Sequence, residues 1–215
     1  MREKESHTTL LLVRHGRPDY PEDQIYARAD DPGLTHVGQA QAKALGEWIK
    51  GEKIDAVYVS PTRRTQETAA PMATALGMEA TVDDRLEERH FGIWEGLFFD
   101  EIRDDHPDDF VRWKTDPIGF APEGGETVAD MEKRVSAAVA DICSAHKGGT
   151  VLVVCHVGTI RTALCGALLM PLAEYRRFNV ATGSVARVDY GHRQANLIYL
   201  GILPGGRNAW SGGEA

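Results

Sequence analysis

The chain has 215 residues, 42% hydrophobic and 26% charged, with 24 lysines and arginines against 32 acids and a formal net charge of −8. That size suits one α/β domain with a full core, and the composition is that of a soluble globular protein. The acidic balance argues against a nucleic-acid or anionic-membrane partner, both of which need a basic footprint, and no apolar run is long enough to span a bilayer.

In chain order, MREKESHTTLLLV lacks the length and cleavage pattern of a signal peptide and runs into a first strand, Thr9 to Val13. The strand stops abruptly at Arg14-His15-Gly16. Asp31-Pro-Gly-Leu-Thr35 is a turn and helix start, and Val37, Ala40, Ala44, Leu45 and Trp48 give a helix from Thr35 to Lys50 one buried face. Ile54 to Val59 reads as the second strand, followed by a helix from Arg63 to Leu76 that closes at Gly77, then a short edge strand, Glu79 to Val82. From about residue 90 to 121 aromatics alternate with acids, prolines and glycines without a period, which suggests a cap insertion over the ligand end of the sheet. Thr127 and Asp130 start a helix that runs to His146, with Val128, Met131, Val135, Ala138 and Ile142 as its stripe. Thr150 to Cys155 is the most apolar strand and so is expected in the centre. Helices at Thr159 to Leu169 and Pro171 to Phe178, a hairpin of Ser184 to Tyr190 with Leu197 to Leu200, and a loose tail complete the chain. The alternation implies one domain over residues 1–215, a three-layer α/β/α sandwich with a mixed, mostly parallel sheet.

Polar residues stand just beyond four strand ends: Arg14-His15, Ser60 to Arg64, Leu86 to Gly92, and His156 to Arg161. In an open α/β sheet such ends converge on one crevice. There Arg14, His15, Arg64, His156 and one of Glu87 or Glu88 would meet, and two arginines beside two histidines repel unless an anion lies among them. Phosphate suits guanidinium forks. The arginines disfavour the imidazolium, so a neutral His15 could act as a nucleophile on phosphorus, with a glutamate as proton donor and no metal required.

These residues match a known pattern. Arg14-His15-Gly16, the L-T-x-x-G-x-x-Q-A stretch (Leu34, Thr35, Gly38, Gln41, Ala42) and S-x-x-x-R-x-x-x-T-A (Ser60, Arg64, Thr68, Ala69) occur in order. LEERHFGIWEG, P-x-G-G-E-T at Pro122 to Thr127, and His156-Val-Gly-Thr-Ile-Arg161 follow. The chain thus resembles the histidine phosphatase superfamily, also called phosphoglycerate mutase-like, over nearly its whole length. The resemblance implies that His15 is phosphorylated, that Arg14, Arg64 and His156 form the phosphate pocket, and that Glu88 rather than Glu87 donates the proton. Arg17, which stands where many members carry Glu, is a candidate for a second anionic group, and Val157, Arg89, Tyr20, Arg28 and the cap aromatics for reading the substrate.

The expected activity is a cytoplasmic phosphomonoesterase that hydrolyses a small phosphorylated metabolite and needs no cofactor; a homodimer stays open. Glu88-Arg89-His90-Phe91-Gly92 resembles the E-R-H-Y-G of the true mutases, which makes a phosphoglycerate-type mutase the alternative, whereas GIWEG and the short chain are closer to phosphatases. Three further readings compete. Cys155-x5-Arg161 is also the spacing of cysteine-dependent phosphatases. His15, His156 and Glu88 could ligate zinc. The fold could also be a non-catalytic phosphate binder. The cysteines, Cys143, Cys155 and Cys165, are too few for a disulfide framework and fit a reducing compartment.

Overall fold

A computed structural model describes residues 7–25 and 31–205; Arg28 and the tail beyond Gly205 lie outside the described residues. Six strands, β1 (Thr8–Arg14), β2 (Ala56–Val59), β3 (Ala80–Val82), β4 (Thr150–Cys155), β5 (Val185–Tyr190) and β6 (Ala195–Ile202), form one sheet in the order β3-β2-β4-β1-β5-β6. β1 to β4 are mutually parallel, β5 runs antiparallel to β1, and β6 antiparallel to β5. The sheet is mixed and mostly parallel, with β4 and β1 in the middle, as the apolar run in β4 requires.

Successive side chains of a strand point to opposite faces, and the core divides accordingly. Leu10, Leu12, Val151 and Val153 pack with α5 (Val128–Ala145) and α6 (Val157–Leu168). Leu11, Val13, Leu152 and Val154 pack with α1 (His36–Ile49) and α2 (Arg63–Leu76) on the other side. The result is the expected three layers. Local signals place the helix ends: Thr35 Oγ1 accepts from the Gly38 amide at the start of α1, Thr127 Oγ1 from the Asp130 amide at the start of α5, and Gly77 closes α2 in the left-handed region.

Two expectations need correction. α6 begins at Val157, two residues before Thr159, because β4 turns straight into the helix through His156 as N-cap. Residues 171–178 form 3-10 turns over Leu172–Arg177 instead of an α-helix. Between residues 90 and 121, two short helices, α3 (Phe99–Asp105) and α4 (Pro107–Thr115), join loops around a third apolar cluster of Ile25, Trp94, Ile102 and Phe120. The Trp94 ring lies 5.4 Å from Phe120 and 6.2 Å from Trp113. Aromatics drawn singly from loops and from two helices of only seven and nine residues leave no sustained period, which is why the segment had none. Among the described residues no helix is long and apolar enough to cross a membrane.

Candidate active site

β1 and β4 pair with Arg14 opposite Cys155, so the next residues, His15 and His156, leave the sheet side by side. Their ring centroids are 5.2 Å apart and their planes inclined by 62°. His15 Nδ1 lies 2.8 Å from the Gly16 carbonyl oxygen. A carbonyl only accepts, so Nδ1 carries the proton and Nε2 keeps its lone pair. Gly16 is itself fixed: its amide donates to Thr68 Oγ1 at 2.9 Å, and a Cβ at Gly16 would stand 2.7 Å from the Gly38 carbonyl oxygen. That close approach explains why a glycine recurs in both the first and the second motif.

His156 is placed by α2 and the end of β2. Its Nε2 is 2.8 Å from Ser60 Oγ, and its Nδ1 is 3.3 Å from an Nη of Arg64. A guanidinium only donates, so Nδ1 is the acceptor and Nε2–H faces the serine. Arg64 is wholly buried and also meets Asp31 at 3.3 Å, while Arg14 donates to the Val180 carbonyl at 2.7 Å. Burial, with Arg14 and Arg64 next in weight, holds the His15 imidazole well below its ordinary pKa. His156 is lowered in the same way, by burial first and then by Arg64, His15 and Arg14. The arginines alone carried this expectation from sequence; exclusion from water is the larger cause.

Glu88 meets the histidines from the loop after β3. Its Oε1 accepts from the Arg89 amide at 2.8 Å and its Oε2 from the Gly158 amide at 3.0 Å. Any Cβ at residue 158 would run into Oε1, so glycine there makes room for the carboxylate. Glu87 instead is buried against His90, 2.7 Å away. A cavity of about 280 Å³ is lined by Arg14, His15, Arg64, Glu88, His156 and Val157, with Ile25, Phe91, Phe99, Met131 and Tyr175 among its other walls. Val157 opens α6, whose positive end is turned to the same space.

The remaining candidates fall elsewhere or do something else. Arg89 edges the cavity but is buried, its Nε on the Glu126 carbonyl at 2.9 Å and one Nη on the Phe120 carbonyl at 2.6 Å. Arg17 pairs with Glu22 at 3.1 Å on the surface and lines a neighbouring depression with Tyr20, outside the His15 cavity. Cys155 is buried within the core, where burial pushes its thiol well above the ordinary range, and it does not line the cavity. Cys155 therefore does not reach a ligand in that cavity, and Arg161 is a cavity-lining guanidinium whose Nε donates to the Phe178 carbonyl at 2.9 Å. No group of three or more His, Cys, Asp or Glu suited to a metal occurs among the described residues. Arg134, unnoticed in the sequence, and Thr159, named there only as a helix start within the His156 motif, bond to the backbone of the Glu88 loop.

Buried neutral imidazoles set among guanidiniums at the carboxyl edge of an α/β sheet mark a protein that handles phosphate. The model of the histidine phosphatase superfamily (branch 1) matches residues 10–202, and the chain belongs to that family. It is 31% identical over 193 residues to phosphoserine phosphatase 1 of Hydrogenobacter thermophilus, covering 90% of this chain and 92% of that protein. It is 40% identical over 194 residues to a bifunctional protein of Mycobacterium tuberculosis, covering 90% of this chain and 53% of that longer protein. The native structure of a mycobacterial glucosyl-3-phosphoglycerate phosphatase superposes with a TM-score of 0.82 at 27% identity, covering 91% of this chain and 99% of that one.

Proposed function

We propose that this protein is a metal-independent phosphomonoesterase that hydrolyses a small phosphorylated metabolite through phosphohistidine at His15. The observation that carries the reading is the bond from His15 Nδ1–H to the Gly16 carbonyl, which leaves Nε2 as a lone-pair nitrogen among Arg14, Arg64 and His156. Nε2 attacks phosphorus, the N–P bond forms, and the ester P–O bond breaks on the opposite side. Arg14, Arg64 and the Val157 amide stabilise charge on the equatorial oxygens, and His156 holds the Arg64 guanidinium through Nδ1. Glu88 gives its proton to the departing alkoxide, then takes one from a water that attacks the phosphohistidine; the N–P electron pair returns to Nε2 and inorganic phosphate leaves.

The test is enzyme denatured in detergent at alkaline pH, where phosphohistidine survives, after exposure to a radiolabelled phosphate ester. Label bound acid-labile to parent protein and absent from His15→Ala supports the reading; equal labelling of both overturns it. The mutase-like Glu88-Arg89-His90-Phe91-Gly92 segment supports a second reading. Incubation with 3-phosphoglycerate and a bisphosphoglycerate primer distinguishes the two: phosphate release marks the phosphatase, fast isomerisation with little phosphate the mutase. We also read the enzyme as cytoplasmic, which suits its three free cysteines.

A further inference from the structure

The P-x-G-G-E-T motif has no part in the chemistry above, yet its glutamate sits at a junction. Glu126 and Arg134 form a close pair, 2.6 Å from Oε2 to one Nη and 2.8 Å from Oε1 to Nε. Both side chains are largely buried, 14% and 19% exposed, so the pair is shielded from the solvent that weakens surface ion pairs. The rest of the Arg134 fork donates to the backbone of the proton-donor loop: to the Arg85 carbonyl at 2.9 Å, Glu87 at 2.8 Å and Glu88 at 3.0 Å. Thr159 Oγ1, on the first turn of α6, is 2.8 Å from the Glu87 carbonyl and 3.2 Å from that of Leu86. From the other side Glu126 Oε2 accepts from the His90 amide at 3.1 Å, and the Glu126 amide donates to the His90 carbonyl at 2.9 Å. Four consecutive carbonyls, 85 to 88, are therefore held by two side chains from two helices. Of this stretch only Arg85 and Leu86 are in a regular turn, Asp84–Leu86.

We infer that Arg134, oriented by Glu126, is a positioning residue that sets where the Glu88 carboxyl stands relative to the leaving oxygen. Arg134 does not line the cavity, so it acts on the reaction through Glu88. A carboxyl displaced by about an ångström loses proton transfer to a poor leaving group while nucleophilic attack by His15 continues. The inference rests on the assignment of Glu88 as proton donor made above.

The experiment compares kcat/KM for an alkyl phosphate, whose alkoxide needs a proton, with that for p-nitrophenyl phosphate, whose leaving group does not. In Arg134→Gln the alkyl-to-aryl ratio is expected to fall on the order of tenfold, with Arg134→Lys between it and the parent. Phosphoenzyme formed from p-nitrophenyl phosphate is expected to accumulate, because the water attack also depends on Glu88. A parental ratio in folded Arg134→Gln overturns the inference, as does an equal fall for both esters. Should Arg134→Gln fail to fold, Glu126→Gln carries the same comparison, and a parental ratio there is equally fatal. Absence of phosphoenzyme in the parent would sink the phosphohistidine reading and would be visible before any variant is made.

Discussion

His15 and Glu88 face one cavity from opposite kinds of support. His15 follows a central strand of the sheet, flanked on both sides by paired strands, and its partner His156 leaves the neighbouring strand at the same level. Glu88 sits on a loop whose carbonyls are caught by Arg134 and Thr159 and which borders the aromatic cluster around Trp94. On the proposed assignment phosphoryl binding is built into the regular hydrogen-bond ladder, where a change in one residue is resisted by many others. The proton donation proposed for Glu88 would depend on a handful of side-chain bonds. A scaffold divided in this way can keep its chemistry while the loop side changes what it accepts.

The first way to break that contrast is His15→Ala, expected to lower turnover on the order of 10⁴-fold or more for every ester, whereas Cys155→Ser keeps most of it. Steady-state rates on purified, folded variants check this; the reverse pattern would move the nucleophile off the β1 end. Next, Glu88→Gln is expected to reduce kcat/KM for alkyl phosphates by roughly 10²- to 10⁴-fold and that for p-nitrophenyl phosphate far less. Equal losses would place the proton donor elsewhere. Arg64→Ala should remove about 3 kcal/mol of transition-state stabilisation, near a hundredfold, without regard to the leaving group. A leaving-group dependence comparable to that of Glu88→Gln would erase the division between the two sides.

The smallest effect is on stability. His15 and His156 are held below their ordinary pKa in the folded chain, so the unfolded chain takes up protons first as pH falls. Stability is then level above the unfolded histidine value and declines below it, by about 1.4 kcal/mol per histidine for each pH unit until the folded value is reached. Urea midpoints at neutral and mildly acidic pH should show this decline, and His156→Gln should make it shallower. The acid limb of kcat/KM that reports His15 should likewise fall below the ordinary histidine pKa; a limb centred at or above it would mean the ring is not kept neutral.

The division also explains what could be read from the amino acids alone. The strand ends, α2 with its Gly77 stop, and the capped starts of α1 and α5 are signalled by residues within a few positions of each other. Arg14, His15, Arg64 and His156 are polar residues that follow strands or open helices, and the sheet gathers them automatically. Glu88 could be told from Glu87 only through a likeness, because the choice depends on the Gly158 amide, 70 positions away, and on His90 as the partner of Glu87. Arg134 lay on a helix whose apolar stripe drew attention to its other face. Its bonds to residues 46 to 49 positions earlier leave no local pattern. Arg17 attracted notice by standing next to the motif, yet its guanidinium turns to Glu22 at the surface.

One consequence of the strand order concerns synthesis. β1, near the amino terminus, takes both its neighbours from the last third of the chain, Thr150–Cys155 and Val185–Tyr190. A ribosome that has delivered the first 145 residues has therefore released His15 but none of the strands that flank it. In such a nascent chain His15 lacks both strands that flank it in the fold, and the late closure of these long-range pairs favours slow assembly. Fragments ending before β4 should consequently have no hydrolytic activity at any level.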